Sequence, residues 1–130
     1  MNTKNIISTL LIVLTFLFLI SCSVEQVSVN FKVLSTGDIF NGYYVLDGGY
    51  PIEFTSEING TNLFWTEKTL EIDKQIIISA WPVYVGNVTN VTSLEVQVWE
   101  DGELKAEKED LDKPVGTVQL TYRLDGNNSK

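Results

Sequence analysis

VSVNFKV, residues 27–33, alternates without a break: Val27, Val29, Phe31 and Val33 fall on one side, and Ser28, Asn30 and Lys32 on the other. Successive side chains of a strand point to opposite faces, so this period of two predicts a half-buried β-strand. VQLTYRL, residues 118–124, repeats the pattern near the other end of the chain, with Val118, Leu120, Tyr122 and Leu124 set against Gln119, Thr121 and Arg123. A strand at each end makes the domain between them β from its boundaries inward.

Further strands are predicted over residues 42–47, 50–57, 63–72, 75–81 and 93–100, rich in Ile, Val, Thr and aromatics. Asp47-Gly48-Gly49, Asn59-Gly60 and Asp101-Gly102 break them, and Asn-Gly and Asp-Gly suit the positive φ of tight hairpins. WEDGEL, residues 99–104, should therefore reverse the chain between antiparallel neighbours. QIIISAW, residues 75–81, is apolar on both faces, which predicts a central strand covered on both sides. ELKAEKEDLDK, residues 103–113, is helical by composition, but it follows a hairpin turn and alternates Leu104 and Ala106 with charges, which favours a charged edge strand. Seven or eight short strands at this spacing predict an all-β fold, an antiparallel β-sandwich over residues 27–124, with Phe31, Ile78, Val96, Val98, Leu120 and Tyr122 in one core. Residues 125–130 read as a polar tail.

Ahead of the sandwich, Lys4 precedes an almost wholly apolar run from Ile6 to Ile20, closed by Ser21 and Cys22. That is the charged, apolar and small-residue order of a secretory signal. As a helix, fifteen residues would reach only about 22 Å, short of a hydrocarbon layer of about 30 Å, so a spanning helix is the weaker reading. Leu19, Ile20, Ser21 and Cys22 resemble the lipobox of bacterial lipoproteins, in which signal peptidase II cuts before the cysteine and the thiol carries a diacylglyceryl group. Residues 1–21 are thus expected to be a cleaved signal helix, and residues 22–26 the lipidated cysteine and a short tether. Several acyl chains, at about 0.8 kcal/mol per buried methylene, hold a protein to a membrane durably. Residues 1–21 contain one basic residue, Lys4, and no acidic one, so their removal leaves 17 acidic against 8 basic side chains, a net charge of −9. That balance argues against nucleic acid and against an electrostatic grip on anionic lipid. With Cys22 the single cysteine, no intrachain disulfide can form, and packing and strand pairing must hold the domain.

The chain has no histidine, and its one thiol is assigned to lipid, which removes His-based acid/base chemistry, Ser-His nucleophilic catalysis and Cys or His zinc sites. Glu107, Glu109, Asp110 and Asp112 lie in a lysine-interleaved polar run without calcium-loop spacing, and read as a solvated edge. No enzyme activity, metal or cofactor is expected. Asn59, Asn87, Asn90 and Asn127 begin Asn-x-Ser/Thr triplets, read here as turns and loops. Trp65, Trp81, Tyr84 and Trp99 are the candidate ligand-binding residues, a possible aromatic platform for a sugar or peptide. In so small a domain, packing into the core or capping its ends is the expected fate of tryptophans. Tyr84 is the best placed of the four for a surface role, since WPVYVGNVTNVT, residues 81–92, leaves a strand through Pro82 into an apolar loop.

Phe31 to Val33, YYVLDGG (43–49), LFWTEKT (63–69), IISA (77–80) and VQVWEDGEL (96–104) resemble, in order and spacing, the soluble domain of the mycobacterial membrane small-protein (MmpS-like) family. The likeness spans Val27 to Leu124. It implies an immunoglobulin-like sandwich outside the cytoplasmic membrane, which in the mycobacterial members accompanies a lipid-exporting transporter. A lipobox here replaces their spanning helix, and the likeness transfers no site residues. The expectation is a non-catalytic envelope lipoprotein, held at the membrane through Cys22, that binds or supports another envelope protein, a transporter among the options. A carbohydrate- or small-ligand-binding module is the alternative. Ser23, rather than aspartate, after the cysteine favours the outer membrane where the organism has one.

Overall fold

A computed structural model describes residues 23–56, 62–112 and 114–125, together with residues 3 and 6. Its strands are β1 (Gln26–Thr36), β2 (Phe40–Leu46), β3 (Ile52–Thr55), β4 (Leu63–Glu71), β5 (Gln75–Pro82), β6 (Ser93–Glu100), β7 (Glu103–Asp110) and β8 (Val118–Arg123). They form two four-stranded antiparallel sheets, ordered β4-β1-β6-β7 and β3-β2-β5-β8, which pack as a sandwich. The expected all-β antiparallel sandwich is thus the fold. Consecutive strands pair at β2–β3 and β6–β7, and the remaining connections carry the chain from one sheet to the other.

The alternation in β1 organises the first sheet. Val27, Val29, Phe31 and Val33 are all buried, and β1 pairs on both sides, Phe31 lying opposite Thr66 of β4 and Val98 of β6. Directly opposed residues share a face. Leu94, Val96 and Val98 of β6 therefore join the same core, while Trp65, Lys32 and Gln97 form a row on the outer face. The second sheet contributes Phe40, Tyr44, Ile76, Ile78, Ala80 and Val118. Leu120 and Tyr122 pack against this core from β8 while remaining partly exposed. Phe31 meets Tyr44 across the sandwich at a ring separation of 5.4 Å, and Phe54 of β3 stacks on Phe64 of β4 at 3.8 Å, closing one side. Gly42, on β2, permits that closure, because a Cβ there would collide with the Phe54 ring and the Ser79 carbonyl.

The turn chemistry follows the sequence. Asp101 and Gly102 both take positive φ, 48° and 84°, in the β6–β7 hairpin, and Asp47 and Gly48 do so after β2, at 49° and 73°. β7 is the expected charged edge strand, with a register shift at Val98/Trp99 that bends it against β6. Asn59-Gly60 lies outside the described residues.

One expectation needs correction. β5 is central in its sheet, between β2 and β8, but it is not covered on both sides. Ile76, Ile78 and Ala80 are buried, whereas Ile77 and Trp81 remain half-exposed. Their cover comes from neighbours in the same sheet, such as Tyr43, whose ring lies 6.0 Å from that of Trp81. A two-layer sandwich gives each sheet one inner face, so continuous apolarity along β5 signals a central strand, not a third layer.

Burial at Ile78 is complete, while Lys108 projects from the exposed edge. Ile78→Ala is expected to cost about 2–5 kcal/mol in equilibrium urea unfolding of the chain from residue 23, and Lys108→Ala to change stability by no more than about 0.5 kcal/mol.

Candidate functional site

The strand register divides the candidate aromatics among three places. Trp65 and Trp99 lie on the outer face of the first sheet, one on β4 and one on β6, with β1 between them. Trp81 is on the outer face of the second sheet, beside Tyr43. Tyr84 belongs to the β5–β6 connection, where its hydroxyl donates to the Val115 carbonyl at 2.7 Å and the residue stays 42% exposed. The four do not form one platform, and none of the tryptophans is in the core. The expectation of core packing fails because the inward phase of β4, β5 and β6 falls on Phe64, on Ile76, Ile78 and Ala80, and on Leu94, Val96 and Val98. The tryptophans occupy the opposite phase.

Trp65 is the most open of the three, at 59% exposure. It borders a groove of about 480 Å³ lined by Asn30, Lys32, Leu34, Leu63 and Gln97, and a smaller one of about 210 Å³ shared with Thr55, Leu63 and Phe64. The floor of the larger groove is held by side-chain bonds. Trp99 Nε1–H donates to Gln97 Oε1 at 2.9 Å, and Gln97 Nε2–H donates to Glu95 Oε1 at 2.6 Å. Lys32 Nζ sits 4.5 Å from the centre of the Trp99 ring, a cation–π contact that occupies that ring. Trp99 thus positions Gln97 and Lys32, and Trp65 is left as the free aromatic surface. Alternation in β1 and β6 marks Asn30, Lys32 and Gln97 as outward-facing, but only the pairing register shows that they converge beside Trp65.

Sequence reading missed the pair Glu100 and Tyr122. Glu100 is 1% exposed, and its Oε2 accepts a 2.9 Å hydrogen bond from the Tyr122 hydroxyl. Its Oε1 has no hydrogen-bond partner and no cation pairs with it among the described residues. Burial pushes the Tyr122 phenol above the usual tyrosine range, and the hydrogen bond and negative charge of Glu100 push it the same way. The phenol is thereby kept protonated as a donor to the carboxylate. The signal was legible: the phase of Leu94, Val96 and Val98 continues inward to position 100.

The acidic run resolves into separate structural tasks. Glu107 and Glu109 are exposed on β7, while Asp110 Oδ1 and Oδ2 accept the backbone N–H groups of Asp112 and Gly116 at 2.9 and 2.8 Å. Those bonds lower the Asp110 pKa, as the Lys74 and Lys105 ammonium groups lower those of Asp47 and Glu103. Among the described residues no cluster of potential metal ligands is found, and no helix is long and apolar enough to cross a membrane. Asn87 and Asn90 fall in the β5–β6 connection, as expected of loop residues. Cys22, Asn59 and Asn127 lie outside the described residues. No protein-family model matches the chain, and no curated protein matches it.

Removing the donor to a buried carboxylate should be costly. Tyr122→Phe is expected to lower stability by about 1–3 kcal/mol in urea unfolding. A folded pKa raised above the unfolded value near 10 gives stability that is complete below pH 10 and is lost as the pH rises towards the folded value. Spectrophotometric titration of the native chain should therefore show a tyrosine ionisation above the usual tyrosine range, and Tyr122→Phe should delete that step.

Proposed function

We propose that this chain is a bacterial envelope lipoprotein, anchored through Cys22, whose sandwich binds or supports another envelope protein without catalysing a reaction. The observation that carries the reading is the order of Lys4, the apolar run Ile6 to Ile20, and Leu19-Ile20-Ser21-Cys22, followed within four residues by the first strand at Gln26. Three residues, Ser23 to Glu25, separate Cys22 from β1, and the four steps from Cys22 to Gln26 reach at most about 14 Å, so one end of the sandwich stays beside the lipid headgroups.

Strand direction then sorts the molecule into a near and a far end. β1 runs eleven residues, about 36 Å, from Gln26 to Thr36. The near end holds Asp47, Glu71, Asp73, Asp101, Glu103 and Asp125 against Lys74, Lys105 and Arg123. This acidic balance gives no electrostatic hold on anionic lipid, so attachment falls to the acyl chains. At the far end, mutual backbone hydrogen bonds between Val85 and Val88, at 2.9 and 3.3 Å, form a tight turn that exposes both side chains, with Leu111 exposed on the β7–β8 connection. Apolar side chains presented on an ordered turn, facing away from the membrane, suit contact with a protein partner. The MmpS-like resemblance adds a transporter as one such partner, and Ser23 favours the outer membrane where there is one.

Metabolic labelling with a palmitate analogue should mark the wild-type chain and leave Cys22→Ala unlabelled and released from membranes. Equal label on both would remove the lipid anchor from the account. In-cell photocrosslinking from position 88 should give a discrete adduct that mass spectrometry identifies as an envelope protein, whereas position 108 on the charged edge should give none.

A further inference from the structure

The outer face of the β4-β1-β6-β7 sheet carries the groove beside Trp65, whose chemistry can be read independently of the lipid anchor. We infer that the groove beside Trp65 binds an uncharged glycan chain, one sugar ring stacking on the exposed Trp65 indole and neighbouring hydroxyls bonding to Asn30, Lys32 and Gln97. Three observations favour this chemistry. The first is composition. Leu34, Leu63 and Trp65 give the groove an apolar side, and Asn30, Lys32 and Gln97 a polar one. A pyranose ring presents the matching combination, a C–H face for an aromatic ring and a hydroxyl edge for amides and ammonium. At about 480 Å³ the groove falls within the range of small-molecule clefts, about 300–1,000 Å³.

The second observation is preorganisation. The Trp99–Gln97–Glu95 chain of hydrogen bonds fixes the amide, and the Trp99 ring holds the Lys32 ammonium. Polar groups already oriented lose little freedom on binding. The third is charge. Across the same face Glu67 lies opposite Asn30, Glu107 opposite Gln97 and Glu109 opposite Glu95, so acidic groups surround the Lys32 ammonium. Anionic polysaccharides are repelled by such a surface, while sugar hydroxyls donate to it.

Isothermal titration and tryptophan fluorescence of the full chain, held in a zwitterionic detergent without a sugar headgroup, test the site with cellohexaose, chitohexaose and maltoheptaose as probes and polygalacturonate as the anionic control. At least one neutral oligosaccharide should bind with a dissociation constant below about 1 mM, and polygalacturonate should not. Trp65→Ala should weaken that binding at least about tenfold with an unchanged melting temperature, Trp65→Phe should retain part of it, and Trp81→Ala, on the opposite sheet, should leave it intact. Absence of binding by all three neutral probes at about 10 mM, equal binding by Trp65→Ala, or equal loss in Trp81→Ala would overturn the proposal. A protein crosslinked in cells from position 65, with no neutral probe binding, would overturn it in favour of a protein interface.

Discussion

The fixed phase of β1 is the constraint on which the rest of the molecule depends. This strand pairs on both edges, and Val27, Val29, Phe31 and Val33 are all removed from water. Burying a side chain of this kind is worth about 1.5–3 kcal/mol, and a slip of one residue would expose all four and bury Asn30 and Lys32 instead. With Cys22 its single cysteine, the chain has no disulfide to pin that register. Hydrophobic alternation and the tight Asp-Gly turns have to do so.

The same phase distributes function. Each inward residue of β1, β4 and β6 is flanked by outward ones, so a core built on Phe31, Val96 and Val98 places Lys32, Trp65 and Gln97 in a row facing solvent. β1 also begins four positions after Cys22, so under the proposed anchoring one element would link core, outer face and orientation relative to the membrane. The near end contains the Glu100–Tyr122 bond, where a buried carboxylate with one unpartnered oxygen is accommodated. The far end presents the turn of Val85 and Val88. A surface groove and an apolar turn thus occupy different parts of the sandwich and are separately testable.

Alternation in residues 27–33 and 118–124 and the Asp-Gly turns made the strands and the sandwich legible, and the charged edge at β7 followed from Glu103 to Asp110. Which face each tryptophan occupies was harder to read. Indole size favours burial as a general tendency, but strand phase decides the individual case, and Trp65 stands out of phase with Phe64. Glu100 was obscured by the adjacent turn signal, although its phase pointed inward. Convergence of Asn30, Lys32, Gln97 and Trp65 depends on how three strands align, and sequence separation carries no information about that alignment.

Thiol reactivity along β1 tests the phase most directly. In a Cys22→Ser background, Val29→Cys, Asn30→Cys, Lys32→Cys and Val33→Cys place a probe at alternating positions. The account predicts rapid alkylation at 30 and 32 and labelling at least about a hundredfold slower at 29 and 33, where reaction requires the sheet to open. Uniform reactivity, or the opposite alternation, would contradict the register of β1 and with it the core and the groove beside Trp65.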